Sequence, residues 1–167
     1  SKVNALSLLI VGGPPKGRGG YNEMIEELEK MAEEKGANAK FTGPLPYSMM
    51  NECYAACDIL IVGHYVDRRL RDYALPKKLL DAMGYKVPVI VGPYDARRKI
   101  VERYNCGLVS EEWTDTLTTL ANDKNLRKKM GDNGFKAFKM NYAWELQEKK
   151  LLKVYKNLLE GDAGEET

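Results

Sequence analysis

Cysteine and histidine are scarce in this chain. Three cysteines (Cys53, Cys57 and Cys106) and a lone histidine, His64, give no even-numbered disulfide framework. Cys53 and Cys57 share a predicted helix, and no Cys or His pair elsewhere completes a zinc set. Packed, reduced thiols in a cytoplasmic setting are expected, with no bound metal. No apolar run reaches the ~18–20 residues of a membrane-spanning helix, and no secretory signal pattern is present. A basic excess is missing too, since 26 Lys plus Arg face 24 Asp plus Glu. Nucleic acid is therefore not an expected partner. Internal repeats and low-complexity segments are also absent.

What remains is an ordinary apolar and charged composition, 44% and 30%, over 167 residues. That suffices for one domain with a real core, or for half of a larger protein. Ser7–Val11 (SLLIV) reads as a strand buried on both sides and stopped by Gly12-Gly13-Pro14-Pro15. Tyr21–Lys35 reads as a helix with Met24, Ile25, Leu28, Met31 and Ala32 on one face and Gly36 at its end. Ala37–Thr42 is a short strand, and Ser48–Cys57 a helix capped by Ser48. Asp58–Gly63 and Val87–Val91 are buried strands flanking the helix that begins at Pro76, with Pro76 in its first turn. Ala96–Tyr104, Trp113–Asn122, Asn125–Met140 and Trp144–Leu159 follow as helices, with a strand at Gly107–Ser110. Gly131 and Gly134 should weaken the third of these helices. Strands alternating with helices predict an α/β fold, a Rossmann-like, doubly wound parallel sheet over residues 1–160. Residues 161–167 (GDAGEET) read as a frayed acidic tail.

Ligands of such sheets gather at the carboxyl ends of the strands, and several stretches there carry chemistry. Gly12–Gly20 (GGPPKGRGG) is neither a Walker loop nor GxGxxG. Its glycines could let amides approach a phosphate, with Lys16 and Arg18 adding charge, or it could be a plain connection. His64 follows a buried strand and could contact a ligand, yet a loop histidine without a partner is the commoner case. Asp67-Arg68-Arg69-Leu70-Arg71 could clamp a diphosphate or simply be solvated. At Pro76–Asp81, helix amides with Lys77 and Lys78 suit a diphosphate, and Asp81 one turn deeper suits vicinal ribose hydroxyls. A surface helix carrying a Lys–Asp pair fits the same residues equally well.

LLIVGG, then AKFTGPLPYSMMNECYAACDILIV, then PKKLLDAMGYKVPVIVGPYDARRKIVERYNCGLV resembles the nucleotide-sugar-binding C-terminal domain of GT-B glycosyltransferases. The similarity is greatest to the retaining group known as family 4, of the group 1 type. The ending FKAFKMNYAWELQEKKLLKVYKNLL resembles that family's Trp-Glu segment and terminal helix. The resemblance implies a donor-binding domain that holds a nucleoside-diphosphate sugar as substrate, with no cofactor. The diphosphate would rest on the helix start at Pro76–Leu79 and the ribose on Asp81. Gly12, Gly13 and Tyr94 would shape the pocket, with Lys16, Arg18 and His64 as further contacts. No catalytic residue is assigned.

Two departures accompany the resemblance. Where the family places the first of two spaced acids, this chain has Tyr73, with Asp72 one residue off. Only one strand–helix unit precedes AKFTG, where the family has two. If SLLIVGG is the family's second strand, the sheet lacks its central strand and leaves two edges unpaired. A fragment, a rearranged sheet or a strand-supplying oligomer is then expected. The acceptor would sit on an N-terminal domain absent from this chain, and peripheral attachment of the full enzyme to the inner face of a membrane stays open. The alternative is a non-catalytic α/β interaction or nucleotide-binding module that kept the fold and lost the chemistry. A flavodoxin-like regulatory or flavin domain ranks third, because the strand ends show no acidic cluster.

Overall fold

Branched apolar runs behind turns fold into short parallel strands, each followed by a helix. The computed structural model describes residues 6–13, 21–63 and 73–161. The first elements are β1 (Leu8–Ile10), α1 (Tyr21–Glu34), β2 (Ala39–Phe41), a 3-10 turn at Tyr47–Met49, and α2 (Met50–Ala55). Then come β3 (Leu60–Val62), α3 (Lys77–Gly84), β4 (Val89–Val91), α4 (Asp95–Tyr104) and β5 (Gly107–Val109). Three helices close the order: α5 (Trp113–Asn122), α6 (Lys124–Asn141) and α7 (Trp144–Gly161). Lys16, Arg18 and His64 lie outside the described residues, as do the arginine-rich run at 67–71 and tail residues 162–167.

Among the described residues the named strands all pair in parallel, and an isolated antiparallel bridge joins Gly12 to Gly43. Leu8 stands opposite Ala39 and Ile10 opposite Phe41. Val62, Val91 and Val109 are in register at the carboxyl ends of β3, β4 and β5. Among the described residues no strand joins β1 to β3, so the doubly wound sheet is present as two pieces, β1-β2 and β3-β4-β5.

β4 organises the larger piece. Successive strand residues point to opposite faces, and all three residues of β4 are fully buried. Val89 and Val91 enter a cluster with Leu79, Met83, Val101 and Ala137, from α3, α4 and α6. Ile90 enters the opposite cluster with Leu120 of α5 and Met130 of α6. Helices therefore cover both faces of the sheet.

β1 corrects the expectation of a strand buried on both sides. Leu8 and Leu9 are 48% and 46% exposed. A run of branched residues encodes a strand but not the neighbours it will have, and among the described residues β1 has only β2 beside it. Met24 and Met31 of α1 are correspondingly exposed. The apolar stripe of α7, Leu151, Leu152, Tyr155, Leu158 and Leu159, also faces outward.

Local signals needed correction in two places. Ser48 caps nothing, because the chain enters the 3-10 turn from Pro46 and α2 from Met49, neither with a side-chain cap. Pro76 is not in the first turn of α3 but just before it, extended at φ −70 and ψ 132. Gly131 and Gly134 do not interrupt α6, which runs unbroken from Lys124 to Asn141 and is capped at its start by Asp123 Oδ1 accepting from the Leu126 amide at 2.8 Å. They also allow a close approach: a methyl group on Gly131 would lie 2.0 Å from the Lys86 carbonyl oxygen, in the turn between α3 and β4.

Gly131→Ala should therefore destabilise the chain despite alanine's higher helix propensity. Backbone cannot yield as a side-chain tip can, and overpacking costs about 1–3 kcal/mol. A urea midpoint equal to or above wild type would contradict this packing.

Candidate functional site

α3 is where the expected residues meet. The first-turn amides of any helix lack intrahelical acceptors, and Pro76, in the N-cap position, has no side-chain group to bond them. The Pro76 carbonyl accepts from the Leu79 amide at 3.0 Å. The Leu79 side chain is wholly buried against β4, so it anchors the turn and does not face a ligand. Lys77 and Lys78 project from the exposed side of the same turn.

Lys77 and Asp81 face each other across one turn. Lys77 Nζ lies 2.9 Å from Asp81 Oδ1 and 2.8 Å from Oδ2. It also donates to Tyr47 Oη at 2.9 Å. Tyr54 Oη donates to Asp81 Oδ2 at 3.2 Å. Tyr54 stacks on Tyr85 at 5.3 Å between ring centroids, and Tyr85 donates its hydroxyl to Asn51 Oδ1. These contacts dock the 3-10 turn and α2 onto α3. Hydrogen bonds to Asp81 and then to Tyr47 raise the Lys77 pKa. Burial, reinforced by the Asp81 charge, pushes the Tyr54 phenol up to about 12.

A cation in the first turn opposes the helix macrodipole, and the Lys-before-Asp order is the weaker orientation of an i,i+4 pair. Helix stability alone does not explain Lys77. The Lys77 side chain is 67% exposed, and exposed pairs of this kind are worth only about 0–1 kcal/mol. An incoming anion could take Lys77 from Asp81 at small cost.

The other expected residues sit elsewhere at the strand ends. Gly12, at φ +110, follows β1 in a conformation that glycine alone adopts readily. Its amide is already bonded to the Gly43 carbonyl at 3.2 Å and Thr42 Oγ1 at 3.3 Å. Gly13 packs on Pro44. The pair thus closes onto the exit of β2, and Gly12 does not present a free amide as a phosphate cradle would. Tyr94 is half-buried after β4 and serves as N-cap residue of α4, its carbonyl accepting from the Arg97 and Arg98 amides. Tyr73, at the place of the family's first acid, is 81% exposed. Among the described residues no group of acidic, histidine or cysteine side chains could hold a metal ion, and no helix is long and apolar enough to cross a membrane.

Sequence reasoning missed Tyr47, Tyr54 and Arg97. Their contacts cross between elements, as from Tyr54 on α2 to Asp81 on α3, and no spacing within one element announces them.

Residues 1–137 match the family described as glycosyl transferases group 1. The chain belongs to that family. Over 146 residues it is 29% identical to an uncharacterized glycosyltransferase of Methanocaldococcus jannaschii, covering 84% of this chain and 36% of that protein. Its fold resembles the sucrose-phosphate synthase of Thermosynechococcus elongatus, with a TM-score of 0.78 and 19% identity over 93% of this chain and 39% of that one. It also resembles Anabaena HepE, solved in complex with UDP-glucose, at a TM-score of 0.73 and 15% identity over 93% of this chain and 43% of that one. The group 1 chain thus has the Rossmann-like architecture of GT-B glycosyltransferases and spans little more than a third of the curated relative's length.

The burial of Tyr54 beside Asp81 makes a prediction about pH. A phenol held to about 12 contributes stability that is complete below the unfolded value near 10 and is lost as pH rises toward 12. Urea midpoints measured from pH 9 to 11.5 should fall less steeply in Tyr54→Phe than in wild type. Some slope will persist, because burial also pushes Tyr142 up to about 12. Identical slopes would count against a Tyr54 phenol held neutral by its burial and the Asp81 charge.

Proposed function

We propose that this chain is the donor-binding domain of a retaining glycosyltransferase, holding a nucleoside-diphosphate sugar for transfer to an acceptor carried by another domain. The observation that carries the proposal is the amino end of α3: uncapped amides, Lys77 and Lys78 on the turn, and Asp81 bonded to Lys77 one turn deeper. When ligand binds, the diphosphate takes the amides and Lys77. Asp81, still accepting from Tyr54, turns its freed oxygen to the ribose diol. Departure of the sugar leaves negative charge on the terminal phosphoryl oxygen, and a preorganised helix end with two lysines stabilises that charge. No metal or organic cofactor is invoked. UDP is the first nucleotide to test, because HepE was solved with it.

The setting proposed is cytoplasmic. The cysteines are free, and burial pushes the Cys106 thiol up to about 11, which makes it unreactive. A β-strand from a second copy is proposed to pair the edge of β1 that no strand covers among the described residues. Hydrogen exchange at Leu8–Ile10 that slows with rising protein concentration supports this, and concentration-independent exchange removes it.

A non-catalytic module is the rival reading. The closed Lys77–Asp81 pair and the occupied Gly12 amide favour it.

Calorimetric titration with UDP, GDP and ADP separates the two. Under the donor-binding reading one nucleotide binds, Asp81→Ala abolishes binding, and Lys77→Ala weakens it about tenfold, as expected for loss of a charge-assisted bond. Lys77→Ala should leave stability within about 0.5 kcal/mol, as for most surface substitutions. No heat from the folded protein with any of the three nucleotides would sink the proposal.

A further inference from the structure

A buried cation joins the carboxyl ends of β3 and β4. Arg97, in α4, is fully buried. Its Nη1 donates to the carbonyl oxygen of Gly63, the residue after β3, at 2.9 Å. Its guanidinium carbon stands 5.4 Å from the Tyr94 ring centroid, and its backbone amide donates to the Tyr94 carbonyl at 3.2 Å. One side chain thereby grips the end of β3 and the turn that follows β4.

Burying a guanidinium is costly, and an apolar side chain of similar volume often does as well or better for stability. Arg97 therefore calls for an explanation beyond packing. The topology offers one. α3 connects β3 to β4, and both strands run parallel, so the start of α3 lies at the same end of the sheet as Gly63 and Tyr94.

We infer that Arg97 is a positioning residue for the donor site, fixing the Gly63 and Tyr94 corners against which the diphosphate lies. The inference rests on the donor-binding reading. It concerns the diphosphate and not the nucleoside, so loss of Arg97 should weaken binding of the two unequally. Misplaced donors lose charge-assisted bonds to a phosphate, whereas general loosening would weaken both ligands alike.

The test is a calorimetric comparison of UDP and uridine on wild type, Arg97→Met and Arg97→Lys. Arg97→Met should lose on the order of tenfold in UDP affinity, as expected when the groups it positions lose a charge-assisted bond to phosphate, with uridine affinity essentially unchanged. Arg97→Lys should restore most of the loss. Equal losses for UDP and uridine, or UDP affinity equal to wild type, overturn the inference. If Arg97→Met fails to fold, the Arg97 Nε–H resonance of the wild-type protein decides. A shift on adding UDP but not uridine supports the inference, and an unmoved resonance at saturating UDP overturns it. Failure of wild type to bind any nucleotide is a different result and removes the donor-binding reading itself.

Discussion

The hydrogen-bonded strand Val89–Val91, paired on both edges and buried on both faces, is the constraint on which the larger part of the molecule depends. Its alternating side chains give each helical layer a surface to pack on. Because α6 must come down on the turn entering this strand, position 131 has no room for a side chain. The first turn of α3 is fixed by the same strand, through Leu79. The exposed cations of that turn therefore stand on a rigid base, which preorganised binding requires.

Against that base, the amino end of α3 is electrostatically out of balance. Helix stability prefers an anion there, and the chain supplies lysines. Asp81 compensates only partly, from one turn away and with its side chain 25% exposed. A helix end that is poorly satisfied by its own protein is a reasonable place for a phosphate. Tyr47 and Tyr54 steer the two charges without neutralising them.

The middle of the chain was the most legible. Leu79, Ala82 and Met83 recur at helical spacing, Val87–Val91 is branched and apolar, and both became what their local pattern encodes. β1 has an equally apolar pattern and came out exposed, since burial depends on lateral neighbours that a local window does not contain. The packing role of Gly131 was not legible, because propensity weighs a glycine by backbone entropy alone, whereas here it also leaves room for Lys86. At the site, Lys77 and Asp81 were found from spacing along one helix. The contacts of Tyr54 and Arg97 were not, because each crosses between elements that lie far apart in sequence.

The Lys77–Asp81 bridge has a consequence for how the site would feel ionic strength. Added electrolyte weakens the pull between an incoming anion and Lys77, but it also loosens the bridge that must open first. The two effects oppose each other, so net affinity should vary more gently with salt than the number of cations on that turn would suggest.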